Sequence, residues 1–251
     1  MSVTRALSAF RSRILQKMGV QRFAWSAAQQ YEQQHSERWI QENFETLFAR
    51  IEAARRAREI SCGSLLVSEF FSNDDGRWLE FARNVQDKTC LEVGAGPCGE
   101  LAHWWWLKHR FVIDPLAAEY KRVSLQLFQR TWYTDDMRLY SQPAERVIDE
   151  LRGAIDGAIV CRNTLDHCDN PFLVLSNIAA YAKPGCQLLL WTDLWHPSGH
   201  DAGHRNIIRE KKAFEQQLNA LGFDILYSFE DRERPTINYG CRAKKRIIPN
   251  L

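Results

Sequence analysis

From residue 88 onward, short apolar runs alternate with helical stretches of about 10–15 residues, and this alternation sets the architecture. TCLEVGAG is a strand and a turn, and GELAHWWWLK reads as the helix after it. HRFVIDP and LAAEYKRVSLQLF repeat the pair. IDGAIVCRN with NPFLVLSNIAAYA, and GCQLLLWTDL with KKAFEQQLNALGF, repeat it again. DILYSFED and TINYGCRAKKR close the chain as strands. Strands separated by helices require crossover connections, so the sheet is expected to be mainly parallel and covered by helices on both faces. The last two runs have no helix between them and fit an antiparallel pair at one edge.

The preceding residues read differently. Trp39, Ile40, Phe44, Leu47, Phe48 and Ile51 recur mostly at spacings of three and four, which is helical. SCGSLLVSEFFSND breaks that pattern, and GRWLEFARN resumes it as a short helix. The chain is therefore divided into a helical N-terminal extension over 1–85, placed to cap a ligand crevice, and an α/β domain over 86–251. The first 25 residues carry Arg5, Arg11, Arg13, Lys17 and Arg22, with no acid before Glu32. Leu7, Phe10, Ile14 and Met18 would share a helical face. Two readings stay open: a helix packed on the domain, and a peripheral contact with an anionic membrane surface.

The chain has 33 basic and 31 acidic residues, a formal charge of +2, so no dedicated nucleic-acid binder is expected. Its seven cysteines are odd in number and lack CxxC spacing. They read as reduced thiols of a cytoplasmic protein, with neither a disulfide framework nor a zinc cage. No run of 18 apolar residues would span a membrane.

LEVGAGPCGEL, residues 91–101, places Gly94, Gly96 and Gly99 as G-x-G-x-x-G between a strand and a helix. The glycines permit a tight turn and close approach of a ligand to the backbone. Asp114 ends the next strand, where a carboxylate can accept both ribose hydroxyls. Glu92, before the first glycine, would serve an ammonium group and oppose a pyrophosphate. A structural role for Glu92 as a hydrogen-bond acceptor is the alternative.

These pieces, with VIDP at 112–115, DGAIVCRNTLDHCDNP at 156–171 and AKPGCQLLL at 182–190, resemble the S-adenosylmethionine-dependent methyltransferases with a Rossmann-like, seven-stranded, mostly parallel sheet. The resemblance is to the broad group acting on small molecules and on glycan or lipid intermediates. It covers about residues 88–190 and implies S-adenosylmethionine as cofactor. Glu92, Gly94, Gly96 and Gly99 would then hold its methionine part. Asp114 would hold the ribose, Pro115 would lie beside the adenine, and Glu145 near the adenine amine. Asn163 would face the methionine end. Two departures stand out: Cys186 replaces a glycine of the usual turn, and the stretch around Glu145 lacks the usual Leu-Pro-Phe run.

A sulfonium methyl is already activated, so the protein mainly aligns the acceptor and excludes water. A hydroxyl acceptor would need a base, and His167 suits that role by its place after a strand end. Asp166 would orient it or touch the acceptor. In WTDLWHPSGHDAGHRN, Asp193, His196, His200 and His204 read as acceptor contacts. The histidine spacing of four would suit a metal on a helix, but Pro197, Gly199 and Gly203 favour a loop. The expected acceptor is a polar small molecule or glycoconjugate, methylated at oxygen or nitrogen. The competing readings are an NAD(P)-dependent oxidoreductase, for which no tyrosine–lysine pair stands out, and a non-catalytic binding protein on the same fold.

Overall fold

In the computed structural model, residues 35–58, 60, 70–71, 74–195, 206–231 and 236–247 are described. Seven strands make one sheet: β1 (Thr89–Val93), β2 (His109–Ile113), β3 (Met137–Tyr140), β4 (Ala158–Arg162), β5 (Gln187–Trp195), β6 (Phe223–Asp231) and β7 (Ile237–Lys245). Their order is β3-β2-β1-β4-β5-β7-β6. The first five run parallel, and β7 lies antiparallel between β5 and β6. The α/β class, the mostly parallel seven-stranded sheet and the antiparallel pair at one edge are as the sequence leads one to expect. β1 and β4 are central and almost wholly buried, which is why they read as unbroken apolar runs.

The helices follow from local chemistry. α1 covers 35–57. α2 (Asp75–Val85) opens on Asp74, whose side chain accepts the Arg77 N–H. α3 (Glu100–His103) is a single turn, and α4 (Ala117–Phe128) ends on Gln129 at φ +56°. α5 (Pro171–Tyr181) has Asn170 as its cap and proline in its first turn; α6 (Lys211–Ala220) follows β5. Alternation along the strands sends successive side chains to opposite faces. On one face Cys90, Val112 and Val160 meet Ile40 and Phe44 of α1, Trp78 and Phe81 of α2, and Tyr120 of α4. On the other, Leu91, Ile159 and Leu188 meet Val174 and Ile178 of α5 and Phe214 of α6.

Two local expectations fail. The helix expected over GELAHWWWLK stops after His103, because Trp104 turns out of helical geometry at φ −90°, ψ 53°. Its ring then stacks on Trp106 at 5.8 Å and tilts against Trp78 of α2, so aromatic burial outweighs helix continuation. Strand β3 was not read at all. Its four residues sit at the sheet edge with only Met137 fully buried, so no apolar run marks it.

α1 is joined to the sheet domain through aromatic packing. Phe44 stacks on Phe128 at 4.3 Å and on Trp132 at 4.5 Å. The basic segment over residues 1–25 and Cys62 lie outside the described residues. The other six cysteines are free thiols. Among the described residues no helix is long and apolar enough to cross a membrane.

Candidate functional site

The strand order reverses beside β1: the chain proceeds to β2 and β3 on one side, then returns to β4 on the other. Open parallel sheets form a ligand crevice at the C-terminal ends of strands flanking such a point. The glycine turn lies there. Gly94 and Gly96 have φ of +72° and +61°, a backbone region that favours glycine. Their surroundings differ. A Cβ on Gly94 would fall 2.1 Å from Thr164 Oγ1, whereas one on Gly96 would meet nothing within 4 Å. Gly94 is thus packed by the loop after β4, and Gly96 borders open space. At Gly99 a Cβ would lie 2.4 Å from Glu92 Oε2.

Three buried carboxyl groups surround this turn: Glu92, Glu100 and Asp114. Glu92 reaches from β1 to the start of α3. Its Oε1 accepts the Glu100 N–H at 2.7 Å and its Oε2 the Leu101 N–H at 2.9 Å. Asp114, at the end of β2, accepts the Gly96 N–H at 2.9 Å on Oδ2 and the Leu116 N–H at 2.8 Å on Oδ1. Burial pushes the Glu92 carboxyl up to about 8. Glu100 and Asp114 push the same way, against the two N–H donors. The turn is braced from outside. Trp132 Nε1 donates to Pro97 O at 2.6 Å, and the Tyr133 hydroxyl donates to Gly96 O. The Tyr133 hydroxyl is held well above its ordinary range by burial and by Asp114 and Glu92.

The loop after β4 and the end of β5 form the opposite wall. Asn163 is exposed at φ +48°, and its N–H donates to Trp191 O at 2.8 Å. Asp166 is fully buried in a short 3-10 turn, Leu165–His167, and accepts the Thr192 hydroxyl at 3.1 Å. His167 is partly exposed, with Nε2 3.6 Å from Asp166 Oδ2. Asp193 is half-buried in β5, opposite Asn238 of β7. Arg162, at the end of β4, lies 3.6 Å from Glu100 and over the Trp191 ring at 5.8 Å.

Glu92, Gly94, Gly96, Gly99 and Asp114 therefore converge on one turn, with Pro115 half-buried next to Asp114. Asn163, Asp166, His167 and Asp193 gather at the same edge of the sheet. Glu145 lies at the entrance to α5, where its Oε1 accepts the Asp169 N–H at 2.8 Å and the Asn170 N–H at 3.3 Å. His196, His200 and His204 lie outside the described residues. Sequence reading passed over Glu100, Arg162, Thr164, Tyr133 and Thr192. Glu100 directly follows the third glycine and was within reach of a motif argument. Arg162, Thr164 and Tyr133 meet the turn, and Thr192 meets Asp166, only through the fold.

No protein-family model matches the sequence, and no curated protein matches it significantly. Solved structures do match in fold. One is a candidate methyltransferase of Bacillus halodurans, with 14% identity, a TM-score of 0.52, and coverage of 69% of this chain and 99% of that one. Another is a candidate S-adenosylmethionine-dependent methyltransferase of Listeria monocytogenes, with 15% identity, a TM-score of 0.50, and coverage of 69% and 99%. The trans-methyltransferase CalH, in complex with S-adenosylhomocysteine, has 16% identity and a TM-score of 0.50, over 66% of this chain and 53% of that one. The chain has the fold of the class I S-adenosylmethionine-dependent methyltransferases, strand order included.

Proposed function

We propose that this protein is an S-adenosylmethionine-dependent methyltransferase acting on a polar small molecule or glycoconjugate. The observation that carries the reading is the Glu92 carboxylate seated on the N–H groups that open α3. In dinucleotide-binding folds those groups serve a pyrophosphate. Here a carboxyl group of the protein already uses them and leaves no place for a phosphate, and a cation arriving there would find Glu92 ready to ionise beside Glu100 and Asp114. That set of acceptors opposes a dinucleotide and suits a ligand with cationic groups. The open space at Gly96 leaves room for such a ligand against the backbone.

Bound there, S-adenosylmethionine would supply a sulfonium methyl for in-line displacement. Glu92, with Gly94 and Gly96, would hold its amino-acid end. Asp114, at the end of β2 beside Gly96, would accept the ribose hydroxyls, with Pro115 against the adenine. Glu145, at the entrance of α5, would lie near the adenine amine. Asn163 would face the methionine end. On the acceptor side, Thr192 fixes Asp166, and Asp166 stands beside the His167 ring. His167 would take the proton from a hydroxyl or amine acceptor, with Asp193 and the histidine-rich segment 196–204 contacting that acceptor. Residues 1–85 would cap the crevice: α1 packs on Trp132, which holds the glycine turn through Pro97.

The test is calorimetric titration of the folded chain with S-adenosylmethionine, S-adenosylhomocysteine and NAD. One-site binding of the first two without NAD is expected. NAD binding alone would establish the oxidoreductase alternative, and no binding of any would leave a non-catalytic protein on this fold.

A further inference from the structure

At the opposite, N-terminal edge of the parallel strands lies a half-open cavity of about 500 Å³. Lys88 immediately precedes β1, and Gly185 and Gln187 mark the start of β5. Lys244, at the end of antiparallel β7, pairs with Gln187. The length of a five-residue strand, roughly 15 Å, separates this edge from the glycine turn. Arg77, Lys88, Arg242 and Lys244 line the cavity, against one acid, Glu80. Phe81 and Leu226 give it an apolar wall.

The cations are poorly compensated. Arg77 pairs with Asp74 at 3.1 Å on the exposed side. Arg242 lies over the Phe71 ring at 5.0 Å, and its Nε is buried without a hydrogen-bond partner. Burial lowers the Arg242 pKa and the charge of Arg77 lowers it further, with Glu80 opposing both. Lys88 and Lys244 form no ion pair among the described residues. Like charges gathered in a half-enclosed space repel one another and concentrate anions from solution. Guanidinium donors match phosphate oxygens in planar, paired fashion.

We propose that this cavity is a second ligand site, separate from the methyl-transfer crevice, for a small organic phosphate or diphosphate with an apolar portion. The phosphoryl oxygens would be shared among Arg242, Arg77 and the two lysines, and the apolar part would lie on Phe81. The confined volume selects a small molecule over an extended nucleic-acid backbone. A ligand there would change the spacing between α2 and β7, not the chemistry of the crevice.

The test uses the full chain with inorganic pyrophosphate and phenyl phosphate, titrated by calorimetry at low and moderate salt. Saturable one-site binding is expected for at least one probe, weakening with salt. In Lys88→Gln/Lys244→Gln affinity should fall at least tenfold, with the ligand-free melting temperature unchanged or raised as repulsion is relieved. Arg242→Met, read the same way, checks the guanidinium separately. Absence of saturable binding by both probes, or equal binding by wild type and the lysine variant, overturns the proposal. Neither result depends on whether the crevice binds S-adenosylmethionine.

Discussion

The two ends of the same sheet carry opposite charge and treat it differently. At the C-terminal edge, Glu92, Glu100 and Asp114 are buried, and the backbone gives Glu92 and Asp114 four N–H donors at 2.7–2.9 Å. At the N-terminal edge, Arg77, Lys88, Arg242 and Lys244 surround a cavity with Glu80 as the only acid. The acidic end is built: the Glu92 and Asp114 carboxyl groups are fixed before any ligand arrives, so little reorganisation is needed to receive a cation. The basic end has fewer fixed partners, and a bound anion would relieve its repulsion. A formal charge of +2 over the whole chain conceals this segregation entirely.

The largest expected effect tests whether the acidic end is held by packing or by its ligand. Gly94→Ala puts a methyl group into Thr164 at a left-handed φ, and should cost roughly 3 kcal/mol or more of stability in denaturant unfolding. Gly96→Ala shares the strained φ but meets open space, so about 1 kcal/mol is expected. Cofactor affinity should nevertheless fall in the Gly96 variant. Equal stability losses in the two variants would mean that the Thr164 loop yields, and the two glycines would no longer separate fold from ligand.

Much of this architecture was legible in the sequence because it rests on burial. β1, β4 and β5 are covered on both faces and appear as apolar runs, and α5 advertises itself by Asn170 and Pro171. β3 was invisible because an edge strand needs little apolar surface. The tryptophan run misled because helical propensity is local, whereas the contacts of Trp104 with Trp78 and Phe81 are not. The glycine turn and Asp114 could be read because spacing encodes them. Thr164, Tyr133 and Arg162 could not, since only strand order brings them to residues 92–100. Glu145 has a contact that sequence order did not announce: its carboxylate accepts the Asp169 N–H at the entrance of α5. The basic cavity left no sequence signal, because its cations come from α2, the approach to β1, and β7.

A smaller effect separates the two ends directly. Asp114→Asn keeps an acceptor for one N–H but removes the charge and presents an amide to the other. S-Adenosylhomocysteine affinity should drop by about 10- to 100-fold, in the range for a lost charged hydrogen bond. The Lys88→Gln/Lys244→Gln variant should leave that affinity within about twofold, since screening over roughly 15 Å is strong at physiological salt. A comparable loss in both variants would show that the ends are coupled through the sheet, and the picture of two independent sites would fail.

The smallest effect concerns a proton. Glu92 is pushed up to about 8 from an ordinary value of 4.5, chiefly by burial. Its folded pKa lies above the unfolded one, so between about pH 4.5 and 8 the folded, ligand-free state binds more protons than the unfolded state. The contribution of Glu92 to stability is therefore fully present below about pH 4.5 and is lost as pH rises toward 8. A cation received by this carboxylate favours the ionised form, so binding near pH 7 should release close to one proton. Calorimetry in buffers of different ionisation enthalpy reads that release directly. Affinity should rise with pH, by at most about tenfold per unit, and level off above pH 8. If instead no proton is released and affinity is flat from pH 6 to 8, Glu92 serves only the start of α3. The charge selecting the ligand would then belong to Glu100 and Asp114, and Glu92→Gln should weaken folding without altering the preference for cations.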